Sequence, residues 1–409
     1  MRKIVFILVF VCYLTSSSCK GSVEPNRTID GNDIKEAVSG NTDFAFALYG
    51  KLKDSVPKSN LFFSPFSIST ALAMTYAGAR GETEKQMATA LHFTLPGEQL
   101  HSVFGTLQKQ LVQEDKSLGY ELLMANALWG QKGEPILEEF LSLNKNYYGA
   151  NLELLDFIGE TEKSRKTIND WVEQKTKDKI KELIPPGGVN RDTALVLTNA
   201  IYFKGEWRIK FEKEDTIYED FYVSEKDKVR VPMMHLEEKF RYYEDEELQI
   251  VELPYKGDEL SMVVILPQET NGVKKVEDML TAERLGALLS KMKAEKIELI
   301  LPKFKMTWGS FSLNDVLIEL GMPDAFDEMK ADFSGINGKG GIWIDNVFHK
   351  AFIEVNEEGT EAAAATGVVI VWGSHVIPVF RADHPFVFVI KDNRSGSILF
   401  MGRLMNPAE

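Results

Sequence analysis

The sequence predicts one α+β domain, with helices in its first half and β-strands in its second. Apolar residues recur at helical spacing before about residue 190, whereas runs rich in Val, Ile, Phe and Tyr dominate after it. The length of 409 residues alone would suggest two or three domains. No Pro/Gly/Ser-rich linker divides the chain, however, so a single large domain is the better prediction.

Helices are predicted from apolar periodicity and from the residues that begin and end it. In the first half they cover residues 41–53, with Asn41 or Thr42 as N-cap, and then residues 67–77, 82–91, 97–111 and 162–184. The last of these ends at residues 185–188, a Pro-Pro-Gly-Gly sequence that stops helices. Two more helices, near 276–293 and 313–320, are expected between the strands.

Strands are predicted where β-branched and aromatic residues form short runs bounded by turn residues. The first is the apolar stretch 121–129, which carries no charge after Glu121. The later predicted strands are 194–203, 248–253, 260–266, 296–301, 342–355, 385–390 and 397–404. Helices early and strands late are typical of an α+β fold.

Residues 1–19 have the layout of a secretory signal. Arg2 and Lys3 are followed by an apolar run over 4–14 and by small polar residues over 15–18. Eleven apolar residues are too few for a membrane-spanning helix, which needs about 20. We therefore expect an exported protein, with a retained membrane anchor as the alternative.

Cys19 ends this leader and is a candidate lipid-attachment site of a cell-envelope lipoprotein. The alternative is ordinary cleavage near residues 19–21, which leaves residues 20–37 as an N-terminal extension. Cleavage there removes Cys12, so no disulfide framework is expected in the body. Asn26 and Asn393 begin glycosylation sequons that matter only in a eukaryotic host.

Composition and motifs exclude several functions. The chain has 47 Lys and Arg against 61 Asp and Glu, a net charge of −14, so we expect no nucleic-acid partner. Nucleophile-elbow, P-loop, dinucleotide-binding and zinc-protease motifs are absent, so an enzyme is not predicted. The six histidines lack metal-ligand spacing, and the glycine-rich stretch 337–341 is a turn; neither a metal nor a cofactor is expected.

The segment 353–374, IEVNEEGTEAAAATGVVIVWGS, permits two structures. Four consecutive alanines favour a helix capped by Thr360. The β-branched run at 368–371 favours an extended chain. In an extended chain one face would carry small residues and the other Glu361, which suits a strand that inserts between two others. The small-residue face would consist of Thr360, Ala362, Ala364 and Thr366.

Several motifs, in order along the chain, resemble those of the serpin family of serine-protease inhibitors from about residue 38 to 407. They are NLFFSPFSISTALAM at 60–74, GARGETEKQM at 78–87, LTNAIYFKGEW at 197–207, HKAFIEVNEEGTEAAAAT at 349–366, FRADHPFVFVI at 380–390 and ILFMGRLMNP at 398–407. The resemblance implies a large central β-sheet with further sheets, about nine helices and an exposed reactive-centre loop at about 357–379.

The resemblance also implies a mechanism. Serpins fold into a metastable state, a protease cleaves the loop, and the loop inserts into the central sheet before the acyl-enzyme can be hydrolysed. Inhibitory serpins keep uncharged residues on the inserting face, because an unpaired buried charge is costly. The hinge corresponds to Glu357, Glu358, Gly359, Thr360, Glu361, Ala362, Ala363, Ala364, Ala365 and Thr366. Gly367 departs from an ideal inserting strand and should slow or weaken insertion.

Family spacing places the reactive bond at Gly373–Ser374, with Trp372–Gly373 as its rival. Gly373 suggests an elastase-like or subtilisin-like target, and Trp372 a chymotrypsin-like one. Two further groups are implied behind the hinge. A sheet-opening cluster maps to Ser64, Ser67, Asn199 and His349, and a first-insertion region to Trp207, Lys303 and Glu357.

The predicted function is secreted inhibition of serine endopeptidases, with cysteine endopeptidases as further targets. A non-inhibitory serpin that acts as a carrier, chaperone or storage protein is the alternative. The helix after Gly97 lacks a basic cluster, so no heparin site is expected. We expect a monomer that meets a membrane only through a lipid at Cys19.

Overall fold

Two β-sheets form the framework in the computed structural model, which describes residues 29–112, 119–150, 152–360 and 377–409. The strands in this part of the chain are β1 (Leu61–Phe63), β2 (Tyr120–Gln131), β3 (Leu152–Leu155), β4 (Leu195–Glu206), β5 (Ile217–Tyr222), β6 (Lys228–Glu244), β7 (Leu248–Pro254), β8 (Leu260–Pro267), β9 (Lys293–Pro302), β10 (Phe304–Ser312), β11 (Ile344–Val355), β12 (Gly359–Thr360), β13 (Val379–Arg381), β14 (Phe386–Asp392) and β15 (Ile398–Leu404).

Ten α-helices surround the sheets in the described ranges, against about nine expected. They are α1 (Gly31–Ser55), α2 (Pro65–Tyr76), α3 (Gly81–Ala90), α4 (Gly97–Leu111), α5 (Glu138–Tyr148), α6 (Thr161–Lys175), α7 (Val273–Met279), α8 (Ala282–Lys291), α9 (Asn314–Glu319) and α10 (Ser334–Asn337). No helix in these ranges is long and apolar enough to cross a bilayer. The leader, Cys12, Cys19 and Asn26 lie outside the described residues.

The central sheet has six strands in the order β10-β11-β4-β2-β3, with β12 added on β4. Its middle pair, β4 and β11, runs parallel from Leu195 and Ile344 to Tyr202 and Phe352. The second sheet has nine strands in the order β1-β15-β14-β8-β7-β6-β9-β13, and β5 pairs with β6. The predicted α+β class with a large central sheet is confirmed.

The largest apolar core joins the sheets to the early helices, and stacked rings such as Phe62 on Phe400 lie inside it. A smaller core lies on the other face of the central sheet, under α6. It contains Trp129, Ile168, Val172, Tyr202 and Phe352. The central sheet is thus covered on both faces, as expected for strands with nearly continuous apolar sequence.

Two predicted helix boundaries were wrong. The first helix begins at Gly31 rather than Asn41, because Asp30 caps it and Asp33 completes a capping box. The predicted helix 276–293 is two helices, α7 and α8, because Thr281 caps a second start by accepting a hydrogen bond from the backbone N–H of Arg284.

The predicted helix 162–184 was also wrong, since α6 ends at Lys175. Residues 176–189, called the strap below, instead cross the central sheet with left-handed backbone at Lys177, Asp178 and Glu182. The strap buries Ile180 and Ile184 against the sheet face that carries Phe348 and Phe352. The ammonium of Lys350 on β11 donates to the carbonyl of Lys181 in the strap at 2.7 Å. Tertiary contacts have overridden helical periodicity here.

Candidate functional site

A buried hydrogen-bond network joins α2 to the central sheet and contains all four residues of the predicted cluster. The Ser64 Oγ caps α2 by accepting from Ser67 N–H at 3.1 Å, and it donates to the Leu399 carbonyl at 2.6 Å. The Ser64 N–H donates to Nε2 of His349 at 3.3 Å. Since Nε2 accepts, the proton of the neutral imidazole lies on Nδ1, which donates to Oδ1 of Asn199.

Asn126 on β2 is a fifth member that sequence analysis missed. The Asn199 amide donates to Oδ1 of Asn126 at 2.6 Å and to the Ser67 Oγ at 2.5 Å. A single amide in the otherwise apolar run 122–129 was the signal that could have identified it. The network satisfies polar groups that would be costly to bury alone.

The network crosses the boundary between β4 and β11, because Asn199 and His349 occupy paired positions on these strands. A strand that entered between β4 and β11 would therefore break the bond between His349 Nδ1 and Asn199. Burial lowers the pKa of His349 to about 3, so its imidazole stays neutral at physiological pH.

This buried imidazole makes stability depend on pH. Between pH 6.5 and 3 the unfolded chain binds a proton at this histidine and the folded chain does not, so stability falls as pH falls. From pH 7 to pH 5 we expect the free energy of unfolding to fall by about 2 kcal/mol because of this histidine. A His349→Gln variant should lack this contribution. Urea unfolding at each pH measures the difference. Parallel pH profiles of the two proteins would contradict the assignment.

At the other end of the boundary, the chain turns back after β11 and enters the predicted hinge at Glu357. The Trp207 N–H donates to the Glu358 carbonyl at 2.9 Å, and its indole Nε1 donates to the Asn356 carbonyl at 3.0 Å. The indole stacks on Tyr255 with ring centroids 4.6 Å apart. These bonds hold the start of the hinge against the end of β4.

Gly359 has φ +137°, and a Cβ there would lie 2.1 Å from the Gly205 carbonyl oxygen. Only glycine therefore fits where the backbone of residue 359 comes this close to β4. Gly359 and Thr360 form β12, which pairs antiparallel with Glu206 and Gly205 of β4. The first two residues that leave the turn are thus already added to the central sheet.

The hinge carboxylates are buried and paired. Glu357 accepts from Lys303 Nζ at 2.8 Å and from Thr216 Oγ1 at 3.0 Å. Burial would raise the pKa of Glu357, but the bonds from Lys303 and Thr216 outweigh it and the pKa lies below its ordinary value. Glu358 pairs with Lys210 and Lys213 at 3.0 and 3.1 Å. The predicted pair Lys303–Glu357 therefore forms, and sequence analysis missed the other cations and Thr216.

The rest of the predicted hinge, Glu361 to Thr366, lies outside the described residues, as do Trp372, Gly373 and Ser374. The chain is described again from Ile377, and β13 pairs with β9. The described residues contain no cluster of three or more His, Cys, Asp or Glu that could hold a metal ion. The described part of the site is a short strand added at the end of β4 and held there by backbone pairing and ion pairs.

A family model described as Serpin (serine protease inhibitor) matches residues 39–407. The chain belongs to the serpin family. This serpin is 44% identical over 384 residues to human leukocyte elastase inhibitor, covering 91% of this chain and all of that one.

Solved serpin structures superpose on it over most of their length. Serpin48 of the insect Tenebrio molitor matches with a TM-score of 0.81 and 33% identity, over 92% of this chain and 99% of the other. Human thyroxine-binding globulin complexed with thyroxine matches with a TM-score of 0.85 and 30% identity, over 92% and 100%. The resemblance expected from the sequence motifs is confirmed.

Proposed function

We propose that this serpin inhibits a serine endopeptidase by inserting its cleaved reactive loop between β4 and β11. The observation that carries the proposal is the pairing of Gly359 and Thr360 with β4 at the end where the β4–β11 pairing has stopped. A loop cleaved at the predicted bond could extend this two-residue strand along the whole boundary.

The strand directions favour insertion. The strands β4 and β11 are parallel to each other, and β12 is antiparallel to β4, so an inserted strand would run antiparallel to both neighbours. Antiparallel pairing is slightly more stable per residue than parallel pairing. Insertion would also replace the single parallel ladder between β4 and β11 with two antiparallel ladders, one on each side of the new strand. Residues 360–373 would span about 45 Å as a strand, enough to carry an attached protease along the sheet.

An elastase-like enzyme is the first target to test. Gly373 before the predicted bond fits an enzyme that accepts small residues, and a relative of 44% identity is named for leukocyte elastase inhibition. Cleavage at Trp372 would instead fit a chymotrypsin-like enzyme, and subtilisin-like and cysteine endopeptidases extend the panel. The leader pattern at residues 1–19 supports export, followed by cleavage or by lipid attachment at Cys19.

Incubation with leukocyte elastase, subtilisin, chymotrypsin and a papain-like protease should give a covalent complex that survives boiling in detergent. The complex is expected because insertion traps an ester or thioester bond between the loop and the enzyme. Sequencing the released C-terminal peptide should locate the bond at Gly373–Ser374 or Trp372–Gly373. A protease with a blocked nucleophile is the control and should give no such complex.

The rival function is that of a carrier, supported by the similarity to thyroxine-binding globulin complexed with thyroxine. Cleavage within residues 361–376 without a covalent complex, across the whole panel, would contradict inhibition and favour this rival.

A further inference from the structure

The edge strand β5 exposes apolar side chains beside the reactive loop. Tyr218 and Ile217 are 64% and 50% exposed, and Tyr222 at the end of the strand is also exposed. Among the described strands, β5 is paired with β6 alone. Exposed aromatic residues grouped on one short strand are typical of protein interaction sites rather than of ordinary surface.

Contacts tie β5 to both ends of the reactive loop. Before the loop, Thr216, directly before β5, donates to the Glu357 carboxylate at 3.0 Å. After the loop, Glu219 on β5 forms an ion pair with Arg381 of β13. The Tyr222 N–H at the end of β5 donates to the Asp383 carbonyl at 2.7 Å. The strand therefore lies next to both the exit and the return of the loop.

A protease that cleaves the predicted bond is large enough to reach this surface. The predicted bond at Gly373 is four residues before Ile377, and four residues of chain span at most about 14 Å. A protease domain of about 230 residues has a diameter of about 45 Å. A body of this size that cleaves a bond four residues from Ile377 can therefore reach the sheet edge around β13 and β5.

The charge of the strand limits the kind of surface it fits. Residues 212–222 contain five acidic residues and one lysine. Glu219 and Asp220 are ion-paired with Arg381 and Lys228, so the negative charge of this surface comes from Glu212, Glu214 and Asp215. Glu214 and Asp215 are exposed just before the exposed Ile217 and Tyr218. Tyrosine rings edged by carboxylates are suited to an apolar surface that carries Lys or Arg, through packing, charge attraction and cation–π contact.

We propose that β5 is a second recognition surface that binds the body of the target endopeptidase, on a basic and apolar area beside its active-site cleft. The inference rests on the proposed inhibitory function and extends it. The loop would supply the bond that is cleaved, whereas β5 would raise the affinity and rate of the initial encounter for proteases with a matching surface.

The test compares Tyr218→Ala and Ile217→Ser with Ile158→Ser. Ile158 is 51% exposed, so it matches Ile217 in type and exposure. Ile158 follows β3, which lies beside the end of β2 that pairs with the start of β4. The start of β4 is about 36 Å along the strand from its other end, where the hinge begins. All three changes affect exposed side chains, and equal thermal midpoints will verify that the variants fold.

Two measurements are needed. The dissociation constant for leukocyte elastase with its active-site serine changed to alanine reports the encounter without chemistry, and the association rate with active elastase reports inhibition. We expect Tyr218→Ala to weaken both about tenfold, the effect of losing one central aromatic contact. Ile158→Ser should change neither, and every variant should keep the wild-type stoichiometry of inhibition.

Changing Glu214→Gln together with Asp215→Asn should lower the association rate at low ionic strength more than at high, because salt screens charge steering. If the wild type forms the covalent complex but Tyr218→Ala binds as well as Ile158→Ser, the recognition surface is disproved while inhibition stands. If the wild type forms no complex, the proposed function fails and this inference fails with it.

Discussion

Replacing Thr360 with arginine should convert this serpin from an inhibitor into a substrate of its target protease. Thr360 pairs with Gly205 on β4 and is the last described residue before the inserting segment. In an extended chain it shares a face with Ala362 and Ala364, which would enter between β4 and β11 in the proposed mechanism. An unpaired charge on that face costs several kcal/mol to bury.

Trapping depends on a competition between insertion and hydrolysis of the acyl-enzyme. Each 1.4 kcal/mol added to the barrier for insertion shifts the partition about tenfold toward hydrolysis. The number of Thr360→Arg molecules consumed per protease inhibited should therefore rise at least about tenfold. Titration of elastase activity measures this number, and gels should show cleaved protein in place of the complex.

Glu361→Arg is the matched control, because residue 361 lies on the opposite face of an extended chain. It introduces the same side chain one position later and should leave complex formation nearly unchanged. Undiminished trapping by Thr360→Arg, or an equal loss in both variants, would rule out insertion with this face inward.

Replacing Arg403 with methionine should cause a large loss of stability, about 3–5 kcal/mol. The Arg403 and Glu277 side chains are 2% and 4% exposed, and Nη1 donates to the carboxylate at 2.8 Å. The other nitrogen, Nη2, donates to the carbonyls of Val56 and Ser59. Without Arg403, a buried carboxylate and two carbonyls lose a charged donor. Among the described residues, only Tyr49 then still donates to Glu277.

Lys85→Met is the control for Arg403→Met, because it removes an ion pair to Glu82 whose partners are 76% and 62% exposed. Its cost should be about 0–1 kcal/mol, since water solvates both charges before and after the change. Urea unfolding midpoints compare the two variants. The double change Arg403→Met with Glu277→Gln should recover part of the loss, and equal midpoints for the two single variants would contradict the argument from burial.

Sequence analysis predicted correctly those helices and strands that have a clear apolar pattern and clear bounding residues. The helix at 97–111 and the strand at 248–253 agree with α4 and β7 to within a residue, because their apolar pattern and their bounding residues coincide. The strand β6 was missed because charged residues and Pro232 interrupt its apolar sequence. The charged residues are there because one face of the strand is packed and the other is exposed. Long-range pairing with β5, β7 and β9 makes it a strand.

The strap shows where local periodicity fails. Residues 176–184 continue the amphipathic pattern of α6, yet burying Ile180 and Ile184 on the central sheet holds them in a non-helical path. Bonds from Arg165 and Asn169 to the Ile184 carbonyl hold the end of this path at 2.7 and 2.9 Å. A sequence window does not contain the partner surface that stabilises such a segment.

By itself, the sequence determined the family, the order of the main helices and strands, and the chemical character of the segment proposed to insert, because motifs and side-chain size are local properties. It also identified Lys303 as the partner of Glu357 through family resemblance. Only the tertiary structure decided that His349 and Asn199 meet across the β4–β11 boundary, that Asn126 completes their network, and that β5 lies beside both ends of the loop. Those placements depend on strand register and on contacts between residues at least 59 positions apart, which no local pattern encodes.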